Sequence, residues 1–199
     1  MKIFIAVIIL IFGFQSLTKA NDISEFEIEG MSIGGSLLDF MSRDLIIKEK
    51  NNKDFSFYYK DDYISISTWE IRKQFEIYNN VGVILKAKDN QFKIYGLEGV
   101  LYMGKDSDIK ECHKKQNEIT NDIKDSLNLK SNGEIWIVPK EQLQAHQLSI
   151  KYIDFELKGG GAIRTTCFEI KPGVRKNSDT NLLYVVVNSP EFWKYLDTY

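Results

Sequence analysis

The stretch "VGVILKAKDNQFKIYGLEGVLYM", residues 81–103, decides the fold class. Two apolar runs of strand character meet at Asp89–Asn90, a pair suited to the positive φ that a tight two-residue hairpin turn requires. A hairpin makes neighbouring strands antiparallel, and the same grammar recurs on both sides of this stretch. Upstream, "FSFYY" and "YISISTW" flank "KDD", a hairpin with Asp61 and Asp62 at its turn, and "FEIY" leads through Asn79–Asn80 into the first run. Downstream, "LSIKYIDFEL" and "AIRTTCFEI" surround Gly159–Gly161, whose glycines release the backbone for another turn. "IWIV" stops at Pro139, which has no N–H for a central ladder, and "NLLYVVV" is a last, apolar strand. Near the start, "FEIEGMSI" alternates, with Phe26, Ile28 and Met31 expected on the inner face.

Three segments carry helix starts. Ser36 precedes "LLDFMSRDLI", with Asp39 three residues later in the pattern of a capping box. Asp108 precedes "IKECHKKQNEITNDIKDSL", where Ile109, Cys112, Gln116, Ile119, Ile123 and Leu127 form one stripe broken by the polar Gln116. Ser189, Pro190 and Glu191 open "FWKYLDTY" with a cap, a proline in the first turn and an acid at the positive end of the helix dipole. Strands outnumber helices and many are joined by hairpins. The expected fold is therefore α+β, a mainly antiparallel sheet with about three helices packed on one side. "IEGMSIGGSLLDF" and "LEGVLYMGKDSDI" echo one another, which raises a weak tandem repeat of a strand–corner–helix unit.

The N-terminus reads as a targeting segment. Lys2 is followed by an apolar run from Ile3 to Phe14 and by small Thr18 and Ala20 ahead of Asn21, the layout of a secretory signal peptide over residues 1–20. The run is shorter than the roughly 20 residues that span a bilayer, so no stable membrane insertion is expected after cleavage. Residues 21–199 are expected to form a single domain, exported to the periplasm or beyond. Removing Lys2 and Lys19 from 26 basic residues, against 28 acidic ones, moves the net charge from −2 to about −4. A mildly acidic chain without a clustered basic face is not built for nucleic acid. Two cysteines, Cys112 and Cys167, suggest one disulfide in an oxidising compartment, with two buried thiols as the alternative.

Chemical motifs are sparse. Gly34–Gly35–Ser36 resembles a phosphate loop only in its glycines, because no lysine precedes Ser36 and none appears until Lys48; a strand-to-helix corner capped by Ser36 explains it. Of two histidines, His113 is expected to face solvent and His146 lies in a polar loop, so neither a Cys–His nucleophile nor a zinc site is expected. "KDSDIKE" offers Asp106, Asp108 and Glu111 but lacks the central glycine and twelfth-position acid of a calcium loop. No cofactor or metal is implied. Asp61, Asp62, Glu70, Asp154 and Glu156 would serve glycoside chemistry only as a converging pair; alternation puts Asp154 and Glu156 opposite Ile153, Phe155 and Leu157, on a solvated face. Aromatic residues crowd the first hairpin. Phe55, Phe57 and Tyr59 share a face assigned to the core, while Tyr58, Tyr63 and Trp69 are candidates for an exposed platform that binds a sugar or peptide.

"FEIEGMSIGGSLLDF", "YGLEGVLYM", "IKECHKKQNEI" and "RTTCFEI" together resemble a group of exported bacterial proteins of uncharacterised activity, over most of the mature chain. Gly35, where that group carries an acid, and Met41 depart from its pattern. The resemblance implies an envelope location and supports pairing Cys112 with Cys167. "MSIGGS" entering a helix is also similar to the start of small outer-membrane assembly lipoproteins, which bind other proteins. The expectation is a non-enzymatic exported module that binds another envelope protein or a glycan. The alternative is a carboxylate-dependent hydrolase acting on a glycan or peptide near the aromatic hairpin, residues 55–69.

Overall fold

The computed structural model describes residues 23–54, 56–104, 108–171 and 181–198. The targeting segment 1–20, Phe55 and Asp106 lie outside them. Ten strands and three α-helices are present among the described residues. β1 (Glu27–Ile28) and β2 (Met31–Ser32) make a small hairpin, and α1 spans Arg43–Lys50. β3 (Ser56–Tyr59), β4 (Tyr63–Ser67), β5 (Asn80–Lys86) and β6 (Ile94–Tyr102) then form a meander. After α2 (Ile109–Ser126) comes a second meander of β7 (Glu134–Ile137), β8 (Gln147–Glu156), β9 (Ala162–Ile170) and β10 (Leu182–Asn188), followed by α3 (Pro190–Leu196). The two meanders join through their final strands into one antiparallel sheet of order β3-β4-β5-β6-β10-β9-β8-β7. The fold is α+β, as the hairpin signals require.

Alternation along the strands sorts the side chains. Ile64, Ile66, Val81, Val83, Leu85, Leu97, Ile153, Phe155, Ile163, Val185 and Val187 share one face and pack with Ile46 of α1 and Ile123 of α2 in a single apolar core. α1 and α2 thus cover this face. α3 lies against the other one, where Phe192 is buried with Tyr63, Ile84 and Tyr95, so two of the three helices share the expected side. The polar break at Gln116 is accommodated by the sheet backbone: its Nε2 donates to the carbonyls of Thr165 at 2.9 Å and Lys151 at 3.1 Å. Beside it, Thr120 and Thr165 hydroxyls meet at 3.1 Å. Cys112 and Cys167 form a disulfide with Cα atoms 6.0 Å apart, fully buried against Leu183, which ties α2 to β9.

Several local expectations are corrected. The alternating "FEIEGMSI" is a hairpin instead of one strand, because Glu29 (φ 52°) and Gly30 (φ 76°) turn the chain between β1 and β2. The Glu29 carboxylate then accepts the backbone N–H groups of Glu76, Ile77 and Tyr78 at 2.9, 2.8 and 2.7 Å, holding "FEIY" as a loop. The second Glu–Gly pair, Glu98–Gly99, lies inside β6, where a side chain at Gly99 would meet the Tyr78 ring at 2.5 Å. The two echoing segments therefore differ in local structure; what recurs is a helix followed by a four-stranded meander. Ser36 does cap a turn, accepting the Leu38 N–H at 3.2 Å, but that turn is a 3-10 stretch over Leu37–Asp39. The α-helix begins at Arg43 under a different cap, Ser42. Gly34 and Leu37 donate their N–H groups to Ile94 and Phe92 carbonyls at 2.9 and 3.0 Å, and Ile94 donates to Gly35, so the corner is tied to the start of β6 and cannot wind continuously. Those same bonds consume the amides that a phosphate cradle would need.

Asp108 and Ser189 cap α2 and α3 as expected, accepting the N–H groups of Lys110 and Phe192. The β5–β6 turn is longer than two residues. Asp89 bridges the N–H groups of Gln91 and Lys93 at 2.8 and 3.0 Å, while Phe92 takes the positive φ (52°) so that its ring can reach the core. Among the described residues, no helix is long and apolar enough to cross a membrane.

Two stability predictions follow from these contacts. Replacing Cys112 and Cys167 by alanine together should cost roughly 2–5 kcal/mol in a denaturant titration, since the bond closes a 55-residue separation. Glu29→Ala strands three backbone donors and should cost about 1.5–3 kcal/mol in the same measurement; an unchanged midpoint would show that water replaces the carboxylate.

Candidate functional site

The helix-free part of the sheet is where exposed chemistry collects. In the second meander this face carries a cross-strand ion pair: Arg164 meets Asp154 in a two-point contact at 2.6 and 2.7 Å. The guanidinium lies 4.3 Å from the centre of the Tyr152 ring and 5.8 Å from that of Trp193. Asp154 is thus on the expected face but paired there. Trp136 of β7 stacks on Tyr152 with centroids 6.5 Å apart.

The centre of the face holds a cavity of about 390 Å³. Its lining comes from β4, β5, β6 and β10: Ser65 and Ser67, Asn80 and Gly82, Glu98 and Tyr102, and Tyr184, with Trp69 just after β4. Glu98 is the acid among them. Its neighbour across β5 is Gly82, where a Cβ would stand 2.8 Å from Glu98 Oε2, so only glycine leaves the carboxyl its place. Ser65 Oγ donates to Glu98 Oε2 at 3.4 Å. Burial pushes the Glu98 carboxyl above the ordinary carboxylate range, and the Ser65 hydrogen bond opposes this more weakly. Ser67 Oγ accepts from Asn80 Nδ2 at 3.1 Å and from the Trp69 N–H at 3.2 Å, so the remaining polar lining is largely bonded within itself. Arg72 sits over the Trp69 ring at 3.7 Å and donates to its carbonyl at 2.7 Å, which fixes the indole at the rim.

A second concavity, about 620 Å³, lies between α3 and the turns at residues 60–62 and 88–93. Asp61, Asp62, Asp89 and Glu191 converge on it, together with Lys86, Lys88 and Lys93. Lys86 contacts Glu191 at 2.6 Å and, with the Tyr63 hydroxyl, holds the Glu191 carboxyl below its usual range. Burial pushes the Tyr63 phenol up to about 12. Glu70 is elsewhere, paired with Lys48 at 3.0 Å.

The expected aromatic platform does not assemble. Tyr63 is 4% exposed, packed under α3 with Tyr95, Phe192 and Tyr195. Tyr58 is exposed on the edge strand β3, but its cross-strand partner is Ile64, which places it on the helix-covered face. Phe57, assigned to the core, is 57% exposed, because the register pairs it with Ser65 on the open face at the sheet's edge. Trp69 alone of the three binding candidates lines the Glu98 cavity. Its partners there, Glu98, Tyr102 and Tyr184, belong to no chemical motif, and their one signal in the sequence is a single acid between glycines in the apolar run "GLEGVL". His113 is half-buried instead of solvent-facing; burial, then nearby Lys151, lowers its pKa, and its Nε2 has no hydrogen-bond partner among the described residues. No three His, Cys, Asp or Glu side chains among the described residues gather as a metal site.

No protein family, curated protein or solved structure matches the chain. The site is therefore read from its own chemistry.

Glu98 generates a pH prediction. Its folded-state pKa is raised, so its contribution to stability is present below the ordinary carboxylate range and is lost as the pH rises through the raised value. Glu98→Gln should raise the melting temperature at neutral pH, with the gain shrinking towards about pH 4. A thermal unfolding series over that range tests it; a variant less stable throughout would overturn this account of Glu98.

Proposed function

We propose that this protein is an exported, non-catalytic binding module and that the open sheet face is its contact surface for a protein or other envelope component. The observation that carries the reading is the Glu98 cavity: a partly buried carboxyl that shares its cavity with Trp69, Tyr102 and Tyr184, on a face only partly covered by α3. A carboxyl group with raised pKa is destabilising at neutral pH, and perturbed groups collect at functional sites. Exposed Ile135, Trp136 and Ile137 on β7, at the end of the sheet, add an apolar edge suited to a polypeptide partner. The signal-like residues 1–20, the buried disulfide and the resemblance to exported bacterial proteins support a place in the envelope.

The hydrolytic alternative needs a raised carboxyl acid facing a second carboxylate. Glu98 is raised, but among the described residues no other Asp or Glu lines its cavity. The four acids of the larger concavity share it with three lysines, and Glu191 there is lowered. Binding is the reading this distribution favours.

Site-specific photo-crosslinking in living cells tests the surface. A crosslinker at Tyr102 or Tyr184 should give a discrete adduct, and one at Glu118 on α2 should give none; adducts from Glu118 alone would overturn the assignment. N-terminal sequencing of the exported protein should begin at Asn21.

A further inference from the structure

We propose that the Glu98 cavity is a binding site for an organic cation, an alkylammonium or guanidinium group seated between the carboxylate and the surrounding aromatic rings. This inference rests on the open-face reading above and adds the chemistry of what enters.

Three features of the cavity select that chemistry. First, among the described residues its lining contains one carboxyl and neither lysine nor arginine. Arg164, in register with Glu98 on this face, lies two strands away and is engaged by Asp154. Among the described residues Glu98 accepts one side-chain hydrogen bond, the long one from Ser65. A partly buried carboxylate with so little compensation from the protein gains from a counter-charge. Second, the wall is aromatic. Trp69, Tyr102 and Tyr184 present rings whose negative faces attract cations, and Arg72 already lies on one face of Trp69 in that manner. Third, the serine and asparagine side chains of the lining are occupied within it: Ser67 holds Asn80 and the Trp69 N–H, and Ser65 turns to Glu98. A sugar would find few free donors and acceptors here. A ligand bringing its own donors to Glu98 meets the unfilled acceptor positions.

Gly82 belongs to the same arrangement, since any side chain there would intrude on Oε2. Among the described residues, the titratable groups lining the cavity with Glu98 are Tyr102 of β6 and Tyr184 of β10; β4 and β5 contribute Ser65, Ser67, Asn80 and Gly82, and the positive charge of Arg72 lies beyond Trp69. Cation binding therefore draws chiefly on the ionisation of Glu98. Affinity should rise with pH as the carboxyl loses its proton and level off above its raised pKa.

The test is a titration of the full mature protein with n-butylamine, followed by the Trp69 indole N–H signal in NMR spectra and assigned through Trp69→Phe. n-Butanol and N-acetylglucosamine serve as uncharged probes of matched size and of sugar chemistry. Saturable shifts with butylamine, absence of shifts with butanol, and affinity lower at about pH 5 than at about pH 8 are expected. Glu98→Gln should weaken butylamine at least about tenfold, the loss of a charge-assisted contact. Equal binding of butanol and butylamine, or a wild-type affinity independent of pH, would overturn the proposal, and neither measurement needs the variant to fold. Shifts from N-acetylglucosamine alone would overturn the cation while leaving the open face as a binding surface. Crosslinks confined to α2 would remove that surface whatever butylamine does. A Gly-Gly-Lys-Gly-Gly peptide, compared with its norleucine counterpart, identifies the source: lysine-dependent binding as tight as butylamine indicates a polypeptide side chain, and binding of butylamine alone a small free amine.

Discussion

The pairing of β6 with β10 is the constraint on which the molecule depends. Seven registered positions, from Leu182 opposite Tyr102 to Asn188 opposite Gly96, join two four-stranded meanders that the chain builds separately. Everything on either face inherits this seam. On the covered side it sets Leu97 beside Val185 and Val187 within one core. On the open side it brings Glu98 and Tyr102 of β6 beside Tyr184 of β10, and a cavity forms whose walls come from both meanders. A slip of one residue at the seam would turn these side chains to the helix-covered face and bury a carboxyl in the core.

How much of this was legible in the sequence follows from the range of the forces involved. Hairpin chemistry is local, so the turns at residues 60–62 and 159–161 and the caps Asp108 and Ser189 could be read directly. The disulfide was legible from the cysteine count and from the resemblance to exported proteins. Where a contact arrives from far along the chain, local reading failed. Ser36 has every mark of an α-helix cap, yet backbone bonds to residues 92 and 94 hold that corner to the sheet. Tyr63 looked like a surface aromatic because nothing nearby in sequence reveals that α3, more than a hundred residues later, covers it. The Glu98 site has the same origin. Its residues span positions 65 to 184, and only pairing across β4, β5, β6 and β10 brings them together.

The two concavities show how neighbourhood decides the use of a carboxyl. Glu191 lies next to Lys86 and the Tyr63 hydroxyl, which stabilise its charge and bind it into the packing of α3. Glu98 has a serine and a glycine for neighbours, and burial disfavours its charge. The first is structural: its interactions are complete within the chain. The second accepts one side-chain hydrogen bond among the described residues, and that local imbalance is what the proposed binding role draws on.

The seam also has a temporal consequence. β6 ends at Tyr102 and its partner β10 begins at Leu182, so nearly the whole second meander must emerge before the first acquires its closing neighbour. Until then the inner edge of β6 presents an open ladder, and sheet closure waits on a contact distant in sequence, the kind that slows folding and leaves intermediates adhesive. A chain delivered from its N-terminus would carry this unfinished edge from Tyr102 until β10 arrives at Leu182–Asn188. Its vulnerable interval is therefore set by the order of its strands, and ends when the last of them arrives.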